Sequence, residues 1–411
     1  MTATFTDAPA LHLPETYTHG VPHDYYRWLR DNDPVACLDH PRYPGEHLWV
    51  VTRYEDVQRV SRDATTFRNS PDPFMDDGEN DPSSGGSELL MISLDAPDHI
   101  KLRKLINKGF TPKRVAALGG MLRERTNEII DGLADRSSAD LVHDLALWLP
   151  LHVIADMVGV PEADRAMVFD WTEKTFGFDP ATTAEERGAA AAAMFAYADA
   201  MCAERAKEPR DDLMSVLLAA EVDGERLTAF QIELFFMLLQ NAGSETTRNL
   251  ITTGTLALLQ HPDQYDIVRS DLDLVPTAIE ELLRFATPVI HFTRTAAVDT
   301  EIGGKQIRAG ERVLMVYASA NRDERAFTDP DGLDVRRSPN DHVAFGAGGP
   351  HFCLGANLAR IEGRVMFEEI LTRFEGLRYV GDPSTYERVH SNLIDGYAHV
   401  PIEWDRILPA R

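Results

Sequence analysis

A single cysteine lies in the most glycine-rich stretch of the chain, FGAGGPHFCLG at residues 345–355. Glycine and proline can hold the backbone in turns that bring amide N–H groups close to the Cys353 sulfur. A helix that begins near Gly355 would add its positive end and favour the thiolate. A lone cysteine is more often a small buried hydrophobic residue. This loop, however, is suited to an ionised sulfur that ligates a haem iron.

A glycine, an acid and a hydroxyl lie close together in NAGSETTRN, residues 241–249, about 110 residues before the cysteine. A glycine inside a helix costs about 1 kcal/mol relative to alanine. The simplest explanation for Gly243 inside a helix is close packing against another helix. The Thr246 hydroxyl can bond back to the carbonyl of Ala242 or donate outward to a ligand. Taken alone, this segment leaves both interpretations open.

The elements that must position these residues are mainly helices. Apolar residues recur at helical spacing through residues 115–133, 140–158, 186–207 and 211–221. We expect the longest helix to start after Thr228 and to run for about 30 residues, or roughly 45 Å. A last helix is expected over residues 355–374, directly after the cysteine loop.

Short strand-like runs accompany the helices at residues 47–54, 289–296 and 312–320, and residues 321–344 read as irregular. No Pro/Gly-rich linker separates two cores. The sequence therefore predicts one domain over residues 1–411, mainly α with minor β (an α+β chain).

Composition excludes several classes of protein. The 411 residues carry a formal net charge of −25, which repels polyphosphate and argues against a nucleic-acid partner. Three cysteines are too few for a disulfide framework. The N-terminus lacks a basic start followed by an apolar run, and no stretch was found with the roughly 18 apolar residues of a membrane span. We expect a cytoplasmic protein without a membrane anchor.

The cysteine loop resembles the haem-ligand loop of the cytochrome P450 superfamily, Phe-Gly-x-Gly-x-His-x-Cys-x-Gly. The residues that match in order are Phe345, Gly346, Gly348, His351, Cys353 and Gly355. Two residues, Gly349 and Pro350, lie between the second glycine and the histidine, where the usual motif has one. A similar lengthening occurs in the actinobacterial sterol and methyl-branched lipid hydroxylases. The resemblance implies the P450 fold, with haem b (iron protoporphyrin IX) between the long helix and the helix after the loop.

The resemblance also assigns roles to other residues. It implies that Ala242 and Gly243 leave room for dioxygen, and that Glu245 and Thr246 are the catalytic residues that supply protons. It implies that the haem-binding set comprises Phe345, Gly346, Cys353 and Gly355, with the propionates held by His99, Arg103, Arg294 and His351.

Two further sets follow from the resemblance. The motif IEELLRF, residues 279–285, supplies a structural pair, Glu281 and Arg284, with Arg337 as the charged partner. The apolar residues expected to line a substrate pocket are Leu89, Ile92, Leu238, Val289, Ile290 and Ile394, although such residues are more often core. The acidic, glycine-bearing segment 71–87 is expected to be a lid over the entrance.

By this resemblance the protein is a haem-thiolate monooxygenase that receives electrons from a ferredoxin and an NAD(P)H-dependent ferredoxin reductase and inserts one atom of O2 into a hydrophobic substrate. The basic segment 99–114, with six Lys/Arg and no acid, could be a donor surface or a solvated helix face. The expected substrate is a sterol side chain or methyl-branched lipid. Terpenoid and polyketide or macrolide intermediates are the alternative substrates. The alternative functions are a peroxygenase and a non-catalytic haem-binding protein.

Overall fold

Helices make up most of the chain, and the strands form five small sheets in the described part of the computed structural model, which covers residues 5, 7–39, 46–75, 87–176, 181–222 and 224–410. The helices are α1 His23–Asn32, α2 Tyr54–Arg62, α3 Asp98–Ile106, α4 Pro112–Ala117, α5 Gly119–Asp131, α6 Trp148–Val158, α7 Glu162–Phe176, α8 Ala184–Lys207, α9 Leu213–Ala219, α10 Ala229–Gln260, α11 Pro262–Ser270, α12 Val275–Ala286, α13 Tyr317–Ala320 and α14 Ala356–Arg373.

The strands are short, with none longer than six residues in the described part of the chain. They are β1 Val35–Asp39, β2 His47–Val51, β3 Phe67–Arg68, β4 Ser138–Asp140, β5 Glu221–Val222, β6 Glu225–Arg226, β7 His291–Ala296, β8 Thr300–Ile302, β9 Lys305–Ile307, β10 Arg312–Val316, β11 Phe374–Glu375, β12 Arg378–Tyr379, β13 Pro401–Glu403 and β14 Arg406–Ile407.

The chain packs as two compact units. The first comprises Met1–Ala96, Leu256–Cys353 and Ser384–Ala398, and the second comprises Pro97–Thr255, Leu354–Pro383 and His399–Arg411. Each unit is assembled from segments that are far apart in sequence, which explains why no linker marks a boundary. The expectation of one domain over residues 1–411 stays a prediction.

The first unit is built on a five-stranded sheet in the order β1-β2-β10-β7-β3. Strand β10 is buried on both faces, because Val313 and Met315 join one apolar cluster while Leu314 and Val316 join another. A strand that is buried on both faces has apolar residues at successive positions, because neither face meets water. Strand β7, which carries Arg294, pairs antiparallel with β10 and is held rigidly by it.

The long helix α10 begins where the sequence predicts. Its 32 residues follow Thr228, whose hydroxyl accepts a hydrogen bond from the amide of Gln231 at 3.2 Å while the Gln231 side chain accepts from the Thr228 amide at 3.0 Å. This reciprocal cap satisfies two amide groups that the first turn of a helix leaves unpaired.

The helix expected over residues 140–158 starts differently. Asp140 ends strand β4, a π-helix covers Leu141–Ala146, and α6 follows. The cause is local: the Asp140 carboxylate accepts hydrogen bonds from the amides of Val142 and His143, at 2.8 and 3.3 Å. Apolar spacing alone does not distinguish these helix types.

One stretch, Leu141–Val158, has the length and apolar character of a membrane span, with a mean hydropathy of 1.4 over 18 residues. The expectation that no stretch reaches this threshold is therefore wrong for this segment. Two thirds of it, 67%, is buried inside the protein, which is typical of a core helix.

Candidate functional site

The glycine-rich loop of the first unit is a tight turn closed by backbone hydrogen bonds. The Cys353 amide donates to the Phe345 carbonyl at 3.0 Å, and the Phe352 amide donates to the Gly349 carbonyl at 3.2 Å. Cys353 is exposed. Gly346 and Gly348 have φ angles of 88° and 94°, a left-handed conformation that other residues adopt only at a cost. The glycines are therefore needed for the path of the backbone that presents the cysteine.

The extra residue of the loop packs against the end of α2. Gly349 has a φ of 84°, and a Cβ added there would collide with the backbone carbonyl of Ser61. The Ser61 hydroxyl donates to the Gly348 carbonyl at 2.8 Å, and Arg62 Nε donates to the Ala347 carbonyl at 3.3 Å. These contacts fix the longer loop, and neither α2 residue was predictable from a local sequence pattern.

Arg294 is a buried cation in the first unit. It is 4% exposed, and its guanidinium donates to the Thr293 carbonyl at 2.7 Å and hydrogen-bonds the Tyr317 side chain. Burial lowers the pKa of this guanidinium. Within the part of the chain that the structure describes, Arg294 forms no ion pair. Asp95 is near enough to attract this guanidinium but forms no ion pair with it, and a buried guanidinium that is not directly paired is suited to an anion such as a haem propionate.

The other residues of the haem-binding set divide between the units. His351 is half-buried in the first unit, as is Phe345. In the second unit, α3 carries His99, which is buried, and Arg103, which is half-buried. A Cβ placed on Gly346 meets no described heavy atom within 4 Å, so this part of the loop has an open side. Together with Arg294, this open side shows that the residues of the first unit fit a haem.

The centre of α10, in the second unit, presents an apolar stripe beside a hydroxyl. Ala242 is exposed, and Leu238 and Thr246, one turn to either side, are partly exposed. The Thr246 hydroxyl donates to the Ala242 carbonyl at 2.9 Å. A Cβ on Gly243 would lie 2.6 Å from Ile154 Cδ1 of α6. The observed role of Gly243 is thus close packing between two helices, and its role toward dioxygen stays a prediction.

Glu245 is buried beside Thr246 and forms an ion pair with Arg248. Burial raises the pKa of Glu245 to about 7, and Arg248 opposes this rise. Arg248 also lies 3.8 Å from Glu173 of α7. Arg248 is a site residue not predicted from the sequence, although its spacing of three residues from Glu245 on a helix is a signal for a side-chain pair. Glu245 is therefore a buried acid that can hold or release a proton near neutral pH.

A second buried acid lies next to this segment. Glu362 of α14 hydrogen-bonds Thr247 of α10, and burial raises the pKa of Glu362 to about 8. Its Oε1 atom has no hydrogen-bond partner among the described residues. Burial therefore favours the protonated form of Glu362. It lies in the second unit with Glu245, and only the structure identifies it.

The resemblance implies that protonated Glu245 is the proton donor, and its pKa is about 7, so we expect product formation per reducing equivalent to fall as pH rises from about 6 to about 8. The Glu245→Gln variant should show a low yield that does not change over this range. The measurement is the ratio of hydroxylated product to NAD(P)H consumed, across the pH series. A wild-type profile that is retained by Glu245→Gln would refute the assignment.

Glu281 and Arg284 of α12 form a fully buried ion pair. Arg284 Nε and Nη2 donate to the two carboxylate oxygens of Glu281 at 2.8 and 2.7 Å, and Arg337 Nε donates to the same carboxylate at 3.0 Å. Arg284 also donates to the carbonyls of Asn321 and Pro330, at 2.9 and 2.6 Å. These contacts join α12 to the irregular segment before the cysteine loop, which is a structural role.

The apolar residues expected to line a pocket differ in exposure. Leu89 is 48% exposed, and Ile92, Leu238 and Val289 are partly exposed. Val289 forms an isolated β-bridge with Ile394, which is 8% exposed. Ile290 is fully buried against Tyr17 and Ala318, as a core residue would be. The predicted lid is placed at 71–87, of which residues 76–86 lie outside the described residues.

Several cations of the basic segment 99–114 are engaged inside the second unit. Lys101 pairs with Glu225 at 3.0 Å, and Arg114 pairs with Asp211 at 3.4 Å. Lys108 donates to the Glu221 carbonyl. The positive charge of this segment is therefore partly neutralised by its own unit.

Comparison with known proteins identifies the family. The family model for cytochrome P450 matches residues 266–390. A steroid C26-monooxygenase from Rhodococcus jostii is 38% identical over 399 residues, which cover 95% of this chain and 83% of that protein. This chain belongs to the cytochrome P450 family. A methyl-branched lipid omega-hydroxylase from Mycobacterium bovis is 42% identical to this P450 over 387 residues, which cover 92% and 89% of the two chains.

The P450 fold is equally clear. A cytochrome P450 from Chondromyces apiculatus, 35% identical, superposes with a TM-score of 0.86 over 97% of this chain and 98% of that chain. The predicted fold class, mainly α with minor β, is confirmed. This P450 is a monooxygenase with haem as its cofactor, and the non-catalytic alternative is not supported.

Proposed function

We propose that this P450 hydroxylates the end of a branched alkyl chain on a steroid or methyl-branched lipid. The observation that carries the proposal is a common feature of two relatives over more than 90% of this chain. One is named for carbon 26 of a steroid and the other for the omega carbon of a methyl-branched lipid. Both positions are ends of alkyl chains. A site that accepts either substrate needs to recognise little beyond an apolar branched terminus.

The exposed stripe on α10 supports an apolar substrate. Leu238 and Ala242 offer hydrocarbon, and Thr246 lies one turn after Ala242. Binding an alkyl chain there would remove apolar surface from water, at about 25 cal/mol per Å² buried. The hydroxyl of Thr246 and the carboxyl of Glu245 would then be the nearest proton-carrying groups on this helix.

The bound haem would supply the chemistry that activates dioxygen, with Cys353 as the ligand to its iron. Arg294 would pair with a propionate, and His99, Arg103 and His351 are proposed to complete the set that holds both propionates. Thr246 would pass a proton outward after breaking its bond to the Ala242 carbonyl. Glu245 would replace that proton, since a carboxyl with a pKa of about 7 is suited to donation near neutral pH.

We further propose that a ferredoxin, reduced by an NAD(P)H-dependent reductase, is the electron donor, and that the enzyme works in the cytoplasm. Segment 99–114 supports a donor surface only weakly, because Lys101, Lys108 and Arg114 bond within their own unit. The donor is tested by measuring NAD(P)H consumption by the enzyme with purified ferredoxin and ferredoxin reductase.

The substrate class is tested by titrating the ferric protein with cholest-4-en-3-one and, separately, with a methyl-branched fatty acid. We expect the visible spectrum to change from low-spin to high-spin with either ligand, because an alkyl chain near the iron displaces its water. An unbranched fatty acid of equal length is the control and should bind more weakly. A spectrum that stays low-spin with both branched ligands would overturn the proposal and favour terpenoid or polyketide substrates.

A further inference from the structure

Two histidines and an aspartate form a cluster in the second unit that has no part in the proposed reaction. Asp140, His143 and His399 each place one oxygen or nitrogen atom so that all three atoms lie within 4.8 Å of one another. Both imidazoles are exposed and Asp140 is half-buried. The three side chains come from two segments more than 250 residues apart, a separation seen directly in the contact between Asp140 and His399.

The backbone on both sides of the cluster is held in place. Strand β13 pairs with β4, with Pro401 opposite Asp140, and the Leu141 amide donates to the Val400 carbonyl at 2.8 Å. Asp140 Oδ1 accepts a hydrogen bond from the Val142 amide at 2.8 Å. The segments that carry the three donor side chains are therefore fixed by strand pairing and by the cap of the π-helix.

The side chains themselves face one another. His399 Nδ1 lies 2.7 Å from Asp140 Oδ2, and the imidazole rings of His143 and His399 have centroids 4.8 Å apart with an angle of 43° between their planes. The imidazole nitrogens and the Asp140 carboxylate oxygen are therefore close enough to bind one ion together, and the imidazole nitrogen is a common metal ligand.

The nearby cation Arg136 is paired with a different carboxylate from the one in the cluster. Arg136 is paired with Asp144 through contacts of 3.0 and 2.9 Å. Asp144 Oδ2 additionally accepts a hydrogen bond from the Asp140 amide at 2.8 Å. The positive charge of Arg136 is thus directed at Asp144 and not at the carboxylate oxygen that faces His399.

We propose that Asp140, His143 and His399 bind a divalent transition-metal ion, with Zn²⁺ as the best match. Two imidazole nitrogens and one carboxylate oxygen are a ligand set that zinc accepts, with water in the remaining position. Tetrahedral zinc would require the donor atoms to lie about 3.3 Å apart, which small rotations of the exposed imidazoles can provide.

Bound zinc would join the start of strand β13 to the start of the π-helix. Because a ligand that binds only the folded protein stabilises it, zinc should raise the melting temperature of the enzyme. This effect is independent of the substrate proposal, since it needs neither turnover nor an electron donor.

The test is the affinity of the haem-loaded enzyme for Zn²⁺, measured by competition with a chromophoric chelator. We expect the wild type to bind one equivalent, and His143→Asn and His399→Asn to bind at least about tenfold more weakly, since even partners outside the ligand set change affinity by that factor. The matched control is His390→Asn. His390 lies 3.7 Å from Glu15 in an exposed pair and belongs to no metal-binding group among the described residues.

Thermal unfolding with and without Zn²⁺ gives a second readout. The wild type and His390→Asn should melt at higher temperature with zinc, and the two site variants should not respond. His143→Asn is the safer variant because the imidazole of His143 makes no hydrogen bond within the described part of the chain. Equal zinc affinity in wild type and His143→Asn, or no zinc binding by the wild type, would overturn the proposal.

Discussion

Replacement of Cys353 by histidine is expected to abolish hydroxylation while leaving haem bound. An imidazole can still ligate iron, but it lacks the electron donation by which a thiolate favours cleavage of dioxygen. The loss of product should be at least about a thousandfold, the scale seen when a reacting group is removed. Product assays give the activity, and the carbon monoxide spectrum of the reduced protein reports the ligand, with the Soret band expected at shorter wavelength in the variant.

The control for this experiment is Cys37→His, since Cys37 is also exposed and lies in strand β1. This variant should keep both its spectrum and its activity. Full activity in Cys353→His would contradict the ligand assignment.

The second large effect is expected at Glu281. Its carboxylate is fully buried and accepts hydrogen bonds from Arg284, Arg337 and Asn340, the last at 3.1 Å. Glu281→Gln removes the charge but keeps the shape, and it leaves the buried Arg284 without its counter-ion. Breaking such a pair costs about 3–5 kcal/mol, so we expect a large fall in the free energy of unfolding, measured by urea denaturation of the haem-loaded enzyme.

Asp170→Asn of α7 is the matched control, because Asp170 forms an exposed helical ion pair with Lys174 at 2.7 Å. An exposed pair contributes about 0.5 kcal/mol or less. If Glu281→Gln destabilised the enzyme no more than Asp170→Asn, the buried network would not be a structural element. Burial is the largest single influence on the pKa of Glu281 and raises it, but the hydrogen bonds and charge of Arg284, the Asp334 amide and the charge of Arg337 together outweigh burial and lower the pKa. The stability from this pair is therefore lost as pH falls into the acidic range.

Features encoded within one or two turns of chain could be predicted from the sequence. The start of α10 follows from the capping residue Thr228, and the pairing on α12 follows from the spacing of Glu281 and Arg284, although this spacing does not indicate that the pair is buried. The tight turn of the cysteine loop follows from the glycines within the loop. In each of these cases the interacting groups are neighbours in sequence, so their residue types are sufficient to predict the contact.

Features that join distant segments could not be predicted in this way. The contact of Ser61 with Gly348 spans 287 residues, and the packing of Ile290 against Tyr17 spans almost as many. The raised pKa of Glu362 depends on burial, which no local pattern reports. The apolar spacing predicts a helix over residues 140–158 but does not indicate that Leu141–Ala146 forms a π-helix.

The contact between the glycine-rich loop and the end of α2 has a consequence for engineering. Gly349 fits only because it has no side chain next to the Ser61 carbonyl, and the loop carbonyls at 347 and 348 are bonded by Arg62 and Ser61. The loop is consequently not an interchangeable module. A chimaera that receives the shorter loop of another P450 would leave the two α2 side chains without their acceptors, so loop length and the end of α2 must be exchanged together.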